Sequence, residues 1–341
     1  MFITVLDRDF KAKLIIDSAE SILWTDRYIG HGDFEIYDRI NPTLIELIDD
    51  DYYVTCSESN STMIIENILM ETDEEKGDHV KITGRSLESI LDRRIILTNY
   101  RVINESVEKV IKDMINGSFI SPQDSNRKVE NFKYEDTNDP SITSTICADM
   151  TFERGQSVYD AVKSVCEAYD IGFKIELVDG NFIFKIYKGA DRSYDQYDNP
   201  PVTFSPGFDN LISTNFLKTR ESLKTVAIID GDSNRVHISN PNNCTGFNRR
   251  EIYSENTDAS SDSELKRIAE DLLKKNSIVE SIDGKVDFRG SYLYGVDFYI
   301  GDIVQLENEY GIKSKSRISE VVRSYNSSGN DVVPTFTSIN K

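Results

Sequence analysis

The chain has 341 residues and 38.9 kDa, too long for one ordinary core, so more than one domain is expected. Its net charge of -20, from 59 acidic and 39 basic residues, disfavours binding to nucleic acid and to anionic membranes. A hydrophobic fraction of 38%, with 17 Tyr and 16 Phe, supplies enough surface for folded cores and excludes a disordered chain.

Cys56, Cys147, Cys166 and Cys244 form no Cys-x-x-Cys pair, and no His stands at ligand spacing from any of them. Neither a disulfide framework nor a metal site is expected, and no cofactor motif is present. The N-terminus lacks a basic stretch followed by an apolar core, so no secretion signal is expected. No apolar run approaches the length that spans a bilayer.

The first stretch is rich in strands. Phe2 to Leu6, Ala12 to Ile16 and Ser21 to Tyr28 read as strands, the last by its alternation of apolar and polar residues. Gly30-His31-Gly32-Asp33 is a turn, and Phe34 to Tyr37 alternates again. Asp51 to Cys56, Ser61 to Ile68 and His79 to Gly84 follow, with a charged loop over 73–78 between the last two. Short strands at even spacing predict a barrel or sandwich. Leu87, Ile90, Leu91 and Ile95 then share one helical face, with Ser86 as the candidate cap.

The middle of the chain has another texture. Ser106 to Ile115 predicts a helix that stops near Asn116-Gly117. Residues 121–140 are polar and loop-like, and a second helix spans about 157–169. Gly172 to Leu177 and Asn181 to Tyr187 form a hairpin across Asp179-Gly180, a strong turn signal. The last part returns to strands, at 222–230, 235–238, 278–288, 297–306, 312–323 and 332–338, with a turn at Gly231-Asp232. One helix over 262–276 carries Leu265, Ile268, Ala269, Leu272 and Leu273 on one face. The expected class is therefore α+β, mainly β: two β-barrel-like domains, at 1–96 and 204–341, with an α/β insert at 97–203.

No catalytic constellation stands out. His31, His79 and His237 lie in turns or at strand starts, with no Gly-x-Ser-x-Gly and no papain-like Cys context. Acidic runs such as Asp49-Asp50-Asp51 read as solvated loops, so they nominate no carboxylate pair for sugar hydrolysis. Gly231-Asp232-Ser233 and Gly290-Ser291 lack the phosphate-loop pattern, and residues 258–262 and 191–198 form no Asp-x-Asp-x-Asp-Gly calcium loop. The aromatic run from Tyr292 to Tyr299 suits a strand packed on one face, or a sugar platform.

Several segments resemble the gp27-like tail hub family, in particular the siphophage Gp37-like tail proteins. The similarity starts at Met1 to Asp7, continues through Trp24-Tyr28 and Gly32 to Ile36, and is most specific over Ile82-Thr83-Gly84-Arg85-Ser86 and the helix to Arg94. It returns at Phe204 to Leu211, at Gly246-Phe247-Asn248-Arg249-Arg250-Glu251, at Tyr294 to Val304 around Gly301-Asp302, and at Arg317 to Val321. Residues 97–203 match least.

The resemblance implies a structural protein of a phage tail tip or baseplate, and not an enzyme. It implies two related β barrels per subunit and a homotrimeric ring that joins a sixfold tail tube to a threefold tip and lets DNA pass. The implied partners are further copies of itself, distal tail protein, tape-measure protein, and a spike, fibre or lytic tip module. The implied location is the virion tail, after synthesis in the host cytoplasm without a signal peptide. Part of the acidic charge is expected to line the lumen. Arg85, Arg93, Arg94, Arg249, Arg250 and Glu251 are candidate subunit contacts, with intradomain ion pairs as the competing reading. Gly84, Gly301 and Asp302 are candidate fold determinants. The alternative functions are a tail-associated cell-wall hydrolase, and a receptor- or glycan-binding tip protein using residues 97–203. Because the chain stops at Lys341, straight after the last β segment, an attached hydrolase domain is not expected.

Overall fold

The computed structural model describes residues 1–73, 77–147, 150–231, 235–256, 261–287, 292–327 and 329–339. The charged loop expected at 73–78 falls partly outside these, as do the Gly231-Asp232 turn and the 258–262 acidic run; Gly290-Ser291 lies wholly outside.

The first segment contains β1 (Ile3–Leu6), β2 (Ala12–Ile16), β3 (Ser21–Arg27) and β4 (Asp33–Arg39). It continues with α1 (Pro42–Leu47), β5 (Tyr53–Cys56), β6 (Thr62–Asp73) and β7 (Gly77–Ser86). Asn41 caps α1 by accepting the Leu44 N–H at 2.7 Å, and Pro42 sits where no intrahelical donor is needed. The middle segment contains β8 (Tyr100–Val102), α2 (Val107–Ile115), β9 (Phe132–Tyr134) and α3 (Pro140–Thr143). Then come β10 (Met150–Phe152), α4 (Val158–Tyr169), β11 (Gly172–Val178) and β12 (Asn181–Tyr187). The last segment contains β13 (Thr203–Phe204), β14 (Leu211–Thr219), β15 (Val226–Gly231), β16 (Val236–Ser239) and β17 (Glu251–Asn256). It ends with α5 (Asp262–Lys275), β18 (Val279–Val286), β19 (Ile303–Glu307), β20 (Lys313–Asn326) and β21 (Gly329–Ser338).

Eleven strands form one sheet in the order β13-β19-β20-β3-β4-β7-β6-β5-β1-β2, with β21 also paired to β20. The antiparallel pairing of β20 with β3, from Glu320↔Arg27 to Asn326↔Ser21, joins the two ends of the chain. The sheet therefore crosses the consecutive division into 1–96, 97–203 and 204–341. The middle segment adds a β11-β12-β9 sheet in which β9 runs parallel to β12. The last segment adds the ribbon β14-β18 and the sheet β16-β15-β17.

Each layer has its own core. Ile3, Val5, Ile22, Trp24, Ile36 and Ile82 fill that of the first segment. A second core packs Leu87, Leu91 and Ile96 against α2, α4 and the β11-β12 hairpin. Residues 87–96 thus bury their apolar face in the insert, although the sequence reading placed them in the first domain. Phe204, Phe298, Val304 and Ile318 build a third core, and Ala227, Ile229, Leu265 and Ala269 a small fourth. A fully buried Leu, Ile or Val in these clusters contributes about 1.5–3 kcal/mol.

Four sequence expectations are corrected. Residues 87–93 form a 3-10 helix rather than a short α-helix, and Ser86 does not cap it. The Ser86 hydroxyl is already engaged: it accepts the Gly32 N–H at 2.7 Å and donates to Glu88. The helix α2 does not stop at Asn116-Gly117 but widens into a π turn, Asn116–Ile120, which buries Phe119. The strand expected at 297–306 starts only at Ile303, because residues before it loop around Gly295 (φ 83°) to bring Phe298 edge-on to Phe204 at 5.4 Å. Residues 121–140 are not all loop, since Phe132–Tyr134 adds β9 to the hairpin.

The Asp179-Gly180 turn forms as expected, with both residues at positive φ (48° and 74°). Gly84 sits opposite a β-bulge between Ile65 and Asn67, where a Cβ would stand 1.7 Å from the Ile64 carbonyl oxygen.

Candidate functional site at the junction of the three segments

The three segments meet around Tyr28, directly after β3. Its ring is 1% exposed and packs edge-on against Tyr187 of β12 at 5.4 Å. Its hydroxyl donates to the Asp170 carbonyl at 3.1 Å. The Arg317 guanidinium of β20 lies 4.8 Å from the ring centroid and donates to both the Asp170 carboxylate and the Gly301 carbonyl. One aromatic ring from the first segment is thus held by the other two. Burial pushes the Tyr28 phenol up to about 12, against the pull of the Arg317 charge. Gly301 adopts φ 89°, and a Cβ there would lie 2.5 Å from the Tyr28 ring, so this turn has both a conformational and a steric need for glycine.

Asp302 follows at 3% exposure. Its carboxylate accepts the Ala190 N–H at 2.8 Å, the Arg192 Nε–H at 2.7 Å and the Tyr299 N–H at 3.0 Å. Three donors satisfy the buried charge and fasten the end of the middle segment to the last one. Beside it, Asp26 of β3 pairs with Arg323 of β20, both nearly buried, and also accepts the Ser59 hydroxyl at 3.0 Å. Glu88 forms the remaining link. One of its oxygens accepts the Ile175 N–H of β11 at 2.7 Å, and the other is bonded by Ser86. Burial pushes Glu88 up to about 7, opposed by the Ser86 and Ile175 hydrogen bonds.

These groups line a polar cleft of about 530 Å³, whose wall includes Asp26, Glu88, Lys174, Tyr187, Arg192 and Arg323. Several of the charges facing it are paired. Arg27 bridges Asp33 at 2.6 Å and Glu320 at 2.7 Å, and Lys174 meets Glu176 at 2.5 Å. The Arg27 pairs tie β3 to β4 and β20. His31, near the cleft, packs at a tilt against Tyr159 with ring centroids 5.2 Å apart, and burial lowers its pKa. Among the described residues, no group of three or more His, Cys, Asp or Glu is arranged to hold a metal ion.

The other residues singled out in the sequence are spread over the molecule. Arg85 forks onto Glu66 at 2.8 Å through two nitrogens and reaches Asp92 at 3.1 Å. Arg93 meets Asp51 at 2.7 Å on the surface. Arg94 donates to the Arg93 carbonyl at 2.9 Å and lies 5.7 Å from the Phe119 ring centroid. Arg249 pairs with Glu251 at 2.6 Å, and the Arg250 side chain donates to the Arg220 carbonyl at 2.8 Å. Of the nine, only Gly301 and Asp302 are at the junction. Tyr28, Asp26, Glu88, Arg192, Arg317 and Arg323, which build it, were not singled out in the sequence as site residues.

A family profile described as "Siphovirus ReqiPepy6 Gp37-like protein" matches residues 2–336. The chain belongs to this family. The fold of this Gp37-like protein agrees with that of solved tail proteins. A tail protein from Neisseria meningitidis MC58 is similar at 13% identity and a TM-score of 0.63, over 99% of this chain and 97% of that one. The 43 kDa tail protein of prophage MuSo2 from Shewanella oneidensis is similar at 11% identity and a TM-score of 0.64, over 99% and 98%. Prophage tail protein gp18 from Listeria monocytogenes EGD-e gives 14% identity and a TM-score of 0.57, over 100% and 95%. A sequence comparison with curated proteins gives no match. The Gp37-like chain thus has the fold of solved phage tail proteins. Among the described residues, no helix is long and apolar enough to cross a membrane.

Proposed function

We propose that the chain is the hub of a phage tail tip or baseplate, and that it works as a homotrimeric ring without enzymatic activity. The ring joins a sixfold tail tube to a threefold tip and leaves an acidic channel for DNA. Distal tail protein binds on the tube side and a spike, fibre or lytic module on the tip side; tape-measure protein is a further partner. The protein is made in the host cytoplasm and leaves in the particle.

The observation that carries this reading is the family match over residues 2–336, on a fold shared with tail proteins over nearly their whole length. The junction supports it, since a hub transmits load between partners and needs its segments locked as one body. One surface also suits contact between copies. The sheet β16-β15-β17 packs α5 on one face, while the opposite face aligns Ile238, Ile228 and Tyr253 in register. Val236, Ile238 and Tyr253 are more than half exposed there, and Arg249, Arg250 and Glu251 lead into the same sheet. A ring needs two different complementary patches per subunit, and this face is one.

The mass of the purified full chain tests the reading. Three times 38.9 kDa is expected, falling to the single mass when Ile238→Asp and Tyr253→Ala are combined. A single mass for the unaltered chain at every concentration, including in the presence of its tail partners, would overturn the ring.

A further inference from the structure

A groove of about 880 Å³ lies away from the junction, between the end of the middle segment, β14, the start of β20 and the loops before β15 and after α5. Its floor includes Ile303 and Gln305 of β19 with Ser314 and Lys315 of β20. Tyr194 and Phe216 stand on its walls, 56% and 39% exposed.

Gln305 is only 2% exposed. Its amide nitrogen donates to the carbonyls of Leu306 at 3.1 Å and Ser314 at 3.0 Å, which fixes the orientation of the amide. The Oε1 of the same side chain then has no donor in the protein. That atom is itself closed to solvent, so the Gln305 amide is a fixed part of the floor and not a contact for a ligand. Two carboxylates beside it are held in place. The Ser193 backbone N–H donates to Asp191 at 2.8 Å, its hydroxyl to Asp195 at 2.8 Å, and Lys315 holds Asp195 at 2.5 Å. The Tyr194 ring is steadied by the Lys313 ammonium, 5.1 Å from its centroid.

We propose that this groove binds an oligosaccharide. Sugar rings offer apolar C–H faces to Tyr194 and Phe216, and hydroxyl or N-acetyl groups to the oriented carboxylates. Asp191, Asp195 and Glu280 are offset by Lys224, Lys313 and Lys315 along the walls, so a polyanion gains no net attraction. An extended peptide is disfavoured by the floor. The outer edge of β19 is already used, by β13 at Thr203↔Gln305 and by the bridge Asp191↔Ile303, so no open ladder remains for an added strand. The site draws on both the end of the middle segment and the last segment, not on residues 97–203 alone, and it does not depend on the trimeric ring.

Isothermal titration of the full chain with chitohexaose and with cellohexaose tests the proposal. At least one is expected to bind, and Tyr194→Ala to weaken that binding about tenfold, the loss of one stacking platform. Asp195→Asn should weaken it as well, with the melting temperature unchanged in both variants. Absence of binding by either sugar at millimolar concentration overturns the proposal, and so does binding that survives Tyr194→Ala and Phe216→Ala intact. If these substitutions instead change the mass of the assembled protein and no sugar binds, the groove is a contact between copies and not a glycan site.

Discussion

Replacing Arg323 with methionine is expected to cost about 3–5 kcal/mol of folding stability, the range for removing one partner of a buried ion pair. The variant leaves the Asp26 carboxylate in a nearly closed site with only the Ser59 hydroxyl to answer it. It also removes the guanidinium from its place 5.1 Å from the Tyr294 ring centroid. Because Asp26 and Arg323 come from β3 and β20, the loss falls on the seam that joins the two ends of the chain. The double variant Asp26→Leu with Arg323→Met should recover most of the stability, since an apolar pair of similar size needs no compensating charge. Equilibrium denaturation of the wild type, both single variants and the double variant gives the coupling. A loss below about 1 kcal/mol for Arg323→Met would mean that water reaches Asp26 through the cleft and that the pair contributes as a surface bridge does.

The second expected result concerns pH. Glu88 has an ordinary value of 4.5, and burial raises it to about 7 in the folded protein. A carboxyl raised in this way favours the folded state when protonated. Its contribution is complete below about pH 4.5, falls as pH rises, and is lost above about 7, a change of about 3 kcal/mol. Glu88→Gln keeps an acceptor for the Ile175 N–H and offers a donor to the Ser86 oxygen without a titrating group. The variant should therefore match the wild type near pH 4.5 and be more stable at pH 8. The difference in unfolding free energy between the two proteins, followed across that range, isolates Glu88 from the many surface carboxylates. A flat difference would show that the Glu88 charge is solvated, and that its bond to Ile175 does not tie the first segment to the insert.

Much of the fold was legible in local pattern. The apolar faces of α2, α4 and α5 follow a helical period, and Asp179-Gly180 announces its hairpin. The Gly84-Arg85-Ser86 and Gly301-Asp302 stretches carried the resemblance, and the family match across 2–336 agrees with it. The junction was far less legible, because its partners lie far apart in the chain and pairing at that distance leaves no periodic trace. One signal was available. Ile22, Trp24 and Asp26 occupy the same face of β3, so an acid stands where alternation asks for an apolar side chain. Val321 and Arg323 repeat the pattern on β20. A charge on the inward face of a strand implies a buried partner, although it does not name it. Nothing local marks Glu88; its burial and its bond to β11 appear only once the insert is folded over it. The extent of residues 87–96 was hidden for the same reason, since an apolar face does not say which neighbour it will meet.

Labelling intact particles with a gold-conjugated antibody raised against the chain, viewed by electron microscopy, tests the hub assignment most directly. The label is expected only at the end of the tail distal to the capsid. Label along the whole tail, on the capsid, or only on material outside the particles would contradict it.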